Sequence, residues 1–164
     1  MPVNFTALTT RIRRCAIVLA MSSLIPLPTH AAKPASYLRG FSQARAIIET
    51  ANNICIVLDI YLADSREQHG QGLMFIDQMD ELEGMLFRYS SVAMISMWMK
   101  NTHIPLDMLF IRGDGEIAGI TRNTTPMSTK TITSPEPVPF VLELNGGMTE
   151  RWKIETGNRL LAIN

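Results

Sequence analysis

Ile54, Ile56, Leu58, Ile60 and Leu62 alternate with Cys55, Val57, Asp59 and Tyr61. A period of two with one fully aliphatic face predicts a β-strand over 54–62. Ala46–Thr50 reads as its hairpin partner across Ala51, Asn52 and Asn53. Leu106–Ile111 and Ile117–Thr121 flank Gly113-Asp114-Gly115, a strong hairpin signal. Phe140, Leu142 and Leu144 alternate with Val141 and Glu143, which predicts another strand before Gly146-Gly147 breaks the chain. Leu160–Ile163 is suited to closing a sheet edge. Ser65–Met74 reads as a short helix with Ser65 as its N-cap, and Met148–Ile154 as a single helical turn. Thr124–Pro139 holds Pro126, Pro135, Pro137 and Pro139, so a long loop with one short strand at Lys130–Thr133 is expected.

About six to eight short strands and one or two short helices predict a mainly β (α+β) domain. The expected architecture is a compact antiparallel barrel-like or sandwich fold. Strand–helix alternation of the kind that builds a parallel nucleotide-binding sheet is missing from the pattern.

The front of the chain obeys a different pattern. Arg11, Arg13 and Arg14 precede the apolar run Cys15–Leu27, and Thr29 and Ala31 supply the small residues of a cleavage site. Residues 1–31 are therefore expected to be a cleaved signal peptide, residues 32–45 a lead-in, and residues 46–164 a single domain. The apolar run falls short of the roughly 20 residues a spanning helix needs, so no membrane span is expected in the mature chain. The implied destination is the periplasm or the exterior.

Composition narrows the function classes. The chain has 15 basic and 15 acidic residues, 46% hydrophobic content and zero formal net charge. Such a balance excludes disordered and collagen-like classes and argues against nucleic acid as a partner, which rewards a basic surface. Loss of the leader removes three arginines and Cys15, leaving Cys55 as the lone cysteine of the mature chain. Its aliphatic neighbours predict a buried, unreactive thiol.

The densest chemistry lies between Met97 and Asp107. Read as a strand through Lys100, this segment puts Ile95, Met97 and Met99 on one face and Ser96, Trp98 and Lys100 on the other. Asn101–Pro105 turns the chain and Asp107 opens the next strand. An indole, an ammonium, an amide, a hydroxyl and a carboxylate thus gather around one turn. The functional expectation is a polar pocket with Trp98 as platform, Lys100 as anion partner and Asp107 as acceptor or base. The structural alternative is a self-satisfied turn with a Lys100–Asp107 ion pair. Glu143, a carboxylate in an apolar strand, faces either solvent or a cation such as Lys100. Met94, Met97 and Met99 near His103 offer the soft ligands that Cu(I) takes. Met97 and Met99 nevertheless occupy an apolar face, and His69 and His103 lack metal-ligand spacing. No metal or cofactor is assigned.

Several of these segments, taken in order, resemble one family. They are Gly72-Leu73-Met74-Phe75, Gly84-Met85-Leu86-Phe87, Trp98-Met99-Lys100-Asn101-Thr102, Ile104-Pro105-Leu106-Asp107-Met108-Leu109-Phe110-Ile111, Asp114-Gly115, and Val141-Leu142-Glu143-Leu144 with Gly147. Together they are similar to the domain of unknown function 192 family from about residue 54 to 163. The resemblance implies a small, mostly-β, exported or membrane-tethered bacterial protein and brings no established activity. The chain departs from the family pattern at Gln71 and Ile76, where basic residues are usual, and at Met97, where an aromatic is usual.

The leading expectation is a domain that binds a small polar ligand, sugar-like or derived from the cell envelope. Its pocket would be built from Trp98, Lys100, Asn101, Thr102, Asp107 and Glu143. The alternatives are a small periplasmic hydrolase or isomerase using Asp107 or Glu143 with Lys100, and an envelope protein–protein interaction module.

Overall fold

The computed structural model describes Ala16–Ile17 and residues 37–163. Apart from Ala16–Ile17, the expected signal peptide lies outside the described residues, as do residues 32–36 of the lead-in. Along the chain come β1 (Ala16–Ile17), β2 (Ser42–Glu49), β3 (Ile54–Ala63), α1 (Arg66–Gln71), β4 (Glu83–Ala93) and β5 (Ser96–Met97). They are followed by β6 (Leu106–Ile111), β7 (Ile117–Thr121), β8 (Ile132–Thr133), β9 (Val138–Asn145), α2 (Met148–Arg151) and β10 (Arg159–Ile163).

The main sheet runs β10-β2-β3-β4-β9-β6-β7, with β1 beside the start of β3; β5 and β8 form a separate two-stranded ribbon. Its ends curl toward each other. Glu116 and Arg159 form a bridge, the Ile117 N–H donates to Asn158 O at 2.9 Å, and the Leu160 N–H donates to Gly115 O at 2.8 Å. The result is the nearly closed, barrel-like β domain expected from the sequence, with two short helices. β2 and β3 form the expected hairpin, paired from Ser42↔Leu62 to Glu49↔Cys55, but β2 begins inside the expected lead-in, whose Leu38 and Phe41 are also buried in the core, so the domain starts before residue 46. β6 and β7 are the other, with a bulge near Ile111 that lets the Gly113–Gly115 turn fit.

β3 and β4 pair in parallel, joined by α1 as crossover. Ser65 caps α1 with a reciprocal box: its side chain accepts from the Gln68 N–H, and Gln68 Oε1 accepts from the Ser65 N–H. β4, the longest strand, has no period-two signature. Its Met85-Leu86-Phe87 run is buried on both faces, so apolar residues follow one another without alternation.

Two cores explain that double burial. Ala46, Ile48, Leu58, Ile60, Leu86, Leu109, Leu142, Leu144 and Ile154 belong to one cluster, drawn from strands all around the sheet. On the other face Met85, Phe87, Met108, Phe110 and Val141 pack under Leu73, Ile76, Ile95, Met97 and Met99. The curled sheet encloses the first cluster, while the loops after α1 and β4 cover the second.

Cys55 is buried, as its aliphatic strand predicts, at 7% exposure. In the structure it is disulfide-bonded and carries no free thiol. The expectation of a lone thiol concerned the mature chain, without Cys15, the chain's other cysteine, which lies outside the described residues.

Gly84 marks where β4 crosses closest to β9. A Cβ there would sit 2.6 Å from the Glu143 carbonyl oxygen and 2.9 Å from Leu144 Cδ2. Gly84→Ala is expected to spread the β4–β9 pair and cost about 3 kcal/mol, the upper range for overpacking. Urea denaturation measures it; a loss under about 0.5 kcal/mol would show that the strands separate freely.

Candidate functional site

Strand parity divides the predicted site residues between the two faces. In the β6–β9 pair Asp107 stands opposite Leu144, and Met108 opposite Glu143. Leu144 belongs to the enclosed core and Met108 to the outer one, so Asp107 and Glu143 point to opposite sides of the sheet.

Asp107 is fully buried. Its Oδ1 accepts from the Asn123 N–H at 2.8 Å and the Gly147 N–H at 3.1 Å. Its Oδ2 accepts from the Thr149 N–H at 2.9 Å and the Thr149 hydroxyl at 2.6 Å. Gly147 is the N-cap of α2 and makes no side-chain cap of its own. Asp107 therefore caps α2 from a neighbouring strand, taking N–H groups the helix leaves free. This corrects the expectation that Asp107 shares a cleft with Lys100 and Trp98. Its carboxylate is fully engaged, and Lys100 forms no ion pair among the described residues.

Asn101 and Thr102 hold the turn. Asn101 adopts φ 56°, its carbonyl accepts from the Phe75 N–H at 2.8 Å, and its Nδ2 approaches Met74 Sδ at 3.8 Å. The amide thus clips the Gly72–Phe75 segment to the turn. Asn101 does not line the cleft described next, a second correction to the expected pocket. Thr102 is buried, with its carbonyl accepting from the Met127 N–H at 3.0 Å, and contributes to the cleft wall.

That cleft, of about 290 Å³, opens on the outer face between α1 and the Ser96–Thr102 segment. Glu143, Phe87 and Tyr89 reach it from the sheet, Arg66 and His69 from α1, and Trp98 and Lys100 from the segment opposite. Gly72 ends α1 at φ 49° with its position of a Cβ only 3.3 Å from Phe87 Cζ, so the wall lies tight on that ring. The alternation expected for residues 95–100 holds: Ile95, Met97 and Met99 are buried while Ser96, Trp98 and Lys100 are exposed. Trp98 is 50% exposed at the mouth.

Glu143 is only 3% exposed. It has no hydrogen-bond or ion-pair partner among the described residues, and none of their deeply buried polar side-chain atoms is left unsatisfied. What little surface its carboxyl keeps is thus turned to the cleft. Burial pushes its pKa up to about 8. Burial, with Glu143 nearby, likewise raises the Tyr89 phenol to about 12, and that hydroxyl contacts Met97 Sδ at 3.5 Å. The His69 ring packs on Tyr89 with centroids 4.4 Å apart. Its Nε2 lies 2.9 Å from the Ala63 carbonyl, an acceptor only, so Nε2 carries the proton. Three hydrogen-bonding side chains therefore cluster on an apolar floor.

The family profile described as DUF192, uncharacterized ACR, matches residues 31–162. The chain belongs to this family. Two solved structures are similar to this chain. A proposed transcription regulator from Sinorhizobium meliloti 1021 is 43% identical, with a TM-score of 0.72, covering 73% of this chain and 93% of its own. A protein of unknown function from Novosphingobium aromaticivorans DSM 12444 is 30% identical, with a TM-score of 0.73, covering 80% of this chain and 93% of its own. No curated protein matches. Within this DUF192 domain, Gly72–Met74 and the Trp98–Thr102 segment, joined by the Phe75–Asn101 hydrogen bond, both line one cleft. Of the residues expected there, Trp98, Lys100, Thr102 and Glu143 line it. His69, Tyr89 and Arg66 were not legible as site residues. Tyr89 sits on the strand without a period-two signal, and α1 is placed over the sheet by the parallel crossover.

Proposed function

We propose that this DUF192 domain binds a small polar ligand in the cleft between α1 and the Ser96–Thr102 segment. Glu143 carries the reading. A carboxyl with no partner inside an apolar site costs stability, and a ligand acceptor facing it would offset that cost. Neutral at physiological pH, Glu143 donates a hydrogen bond, with Trp98 as a stacking surface at the mouth. The test is native mass spectrometry of protein gently isolated from the producing cells. A small-molecule adduct is expected on the wild type and not on Glu143→Leu. Bare chain in both would overturn the binding reading.

A second reading is favoured by one observation. A carboxyl that titrates near 8 is matched to proton transfer at neutral pH, as an isomerase acid or base requires. Two-carboxylate glycoside hydrolysis lacks its second acid among the described residues lining the cleft.

We further propose export. The arginines, apolar run and small residues before Ala32 support it, and the family match begins at residue 31. No helix among the described residues is long and apolar enough to cross a membrane. Expressed in a Gram-negative host, the protein is expected in the periplasmic fraction with Ala32 at or near its N-terminus by Edman sequencing. Full-length chain recovered from the cytosol would refute this.

A further inference from the structure

We infer that the ligand of this cleft is an anion, a carboxylate or a phosphate ester on a monosaccharide-sized body. This rests on the cleft being a ligand site and adds the ligand's charge and size. Two cations line opposite walls, Arg66 on α1 and Lys100 on the facing segment. Neither forms an ion pair among the described residues, although acids are close along the chain. Asp64 is taken by Arg88, Asp77 pairs with His103 at 2.6 Å, and the exposed Glu67 carboxyl is held first by its own backbone and the Ser65 side chain, with Arg66 only a weaker influence. Lys100 without an acidic partner among the described residues, and Arg66 facing only the solvent-exposed Glu67 next to it in the chain, leave a local positive field at one concave site.

The floor supports the same sign. Glu143 is the one acid lining the cleft. In its neutral form it adds no negative charge and offers an O–H, which an anionic oxygen accepts and a cation cannot use. A cationic ligand would meet two like charges and a floor without a carboxylate. The volume, about 290 Å³, suits a body of monosaccharide size. Trp98 at the mouth and Leu73, Met74 and Phe87 along the wall suit the apolar face of a ring.

The test compares three probes of one body: glucose, glucuronate and glucose 6-phosphate. Each is titrated into the ¹⁵N-labelled protein while the Trp98 indole and Gly72 amide resonances are followed. At least one anion is expected to shift both, with a Kd at least tenfold below that for glucose. Lys100→Gln and Arg66→Gln are each expected to weaken that anion at least fivefold and to leave glucose unchanged. Preference for glucuronate identifies a carboxylate, and preference for glucose 6-phosphate a phosphate. Glucose binding as tightly as either anion, indifference to both substitutions, or no shift from any probe would overturn the anion inference. The mass-spectrometric adduct decides separately whether the cleft holds a ligand.

Discussion

Glu143→Gln is expected to be more stable than the wild type above pH 8, by about 5 kcal/mol. Folding raises the Glu143 pKa from 4.5 to about 8. Between those values the folded chain holds a proton that the unfolded chain has released. The contribution of this group is fully present below pH 4.5 and lost as pH rises through 8. Each pKa unit is worth about 1.4 kcal/mol, which sets the scale. Glutamine reproduces the shape of the protonated acid without titrating. The two proteins' stabilities are therefore expected to coincide within about 1 kcal/mol near pH 4.5, to diverge steadily up to about pH 8, and to stay apart by a constant amount above it. Parallel curves across that range would mean that Glu143 is solvated and paired, and would remove the support for a ligand-directed acid. A gain in stability with loss of the bound adduct would be the signature of a functional carboxyl kept at the expense of the fold.

Asp107→Ala is expected to be the most damaging single change, costing more than about 4 kcal/mol. It strands the N–H groups of Asn123, Gly147 and Thr149 and the Thr149 hydroxyl inside the domain. Arg122, which donates to Thr149 Oγ1 at 3.1 Å, loses its support at second hand. Because this variant is at risk of not folding, Asp107→Asn is the sharper measurement. Its Oδ1 can keep the Asn123 and Gly147 bonds. Its Nδ2 then faces the Thr149 N–H, donor against donor, and the cost falls to about 2–3 kcal/mol. Ligand binding by the surviving folded fraction is expected to be unchanged, since Asp107 and the cleft lie on opposite faces of the sheet. Wild-type stability with lost binding would reverse that assignment.

These two carboxylates show how far the sequence alone reaches. Period-two alternation placed β3 and β9, the Gly113-Asp114-Gly115 turn placed the β6–β7 hairpin, and β2 and β10 read as neighbours that pair with or close the sheet. Ser65 marked the start of α1, and the structure added Gln68 as the other half of its capping box. The alternation around Trp98 set Met97 and Met99 inward and Trp98 and Lys100 outward. What local patterns cannot carry is phase across a turn. Asn101–Pro105 resets the parity, so the sequence could not decide whether Asp107 returns to the side of Lys100. The backbone takes it to the other face, where α2 needs a cap. β4 was invisible because burial on both faces erases alternation, and with it went Tyr89. The sequence by itself determined most of the strands, the short helices and the turn that bears Trp98, but not β4. Only the tertiary structure decided which acid meets the cleft, since that depends on how β4, β9 and β6 stack side by side and on which loops cover their outer face.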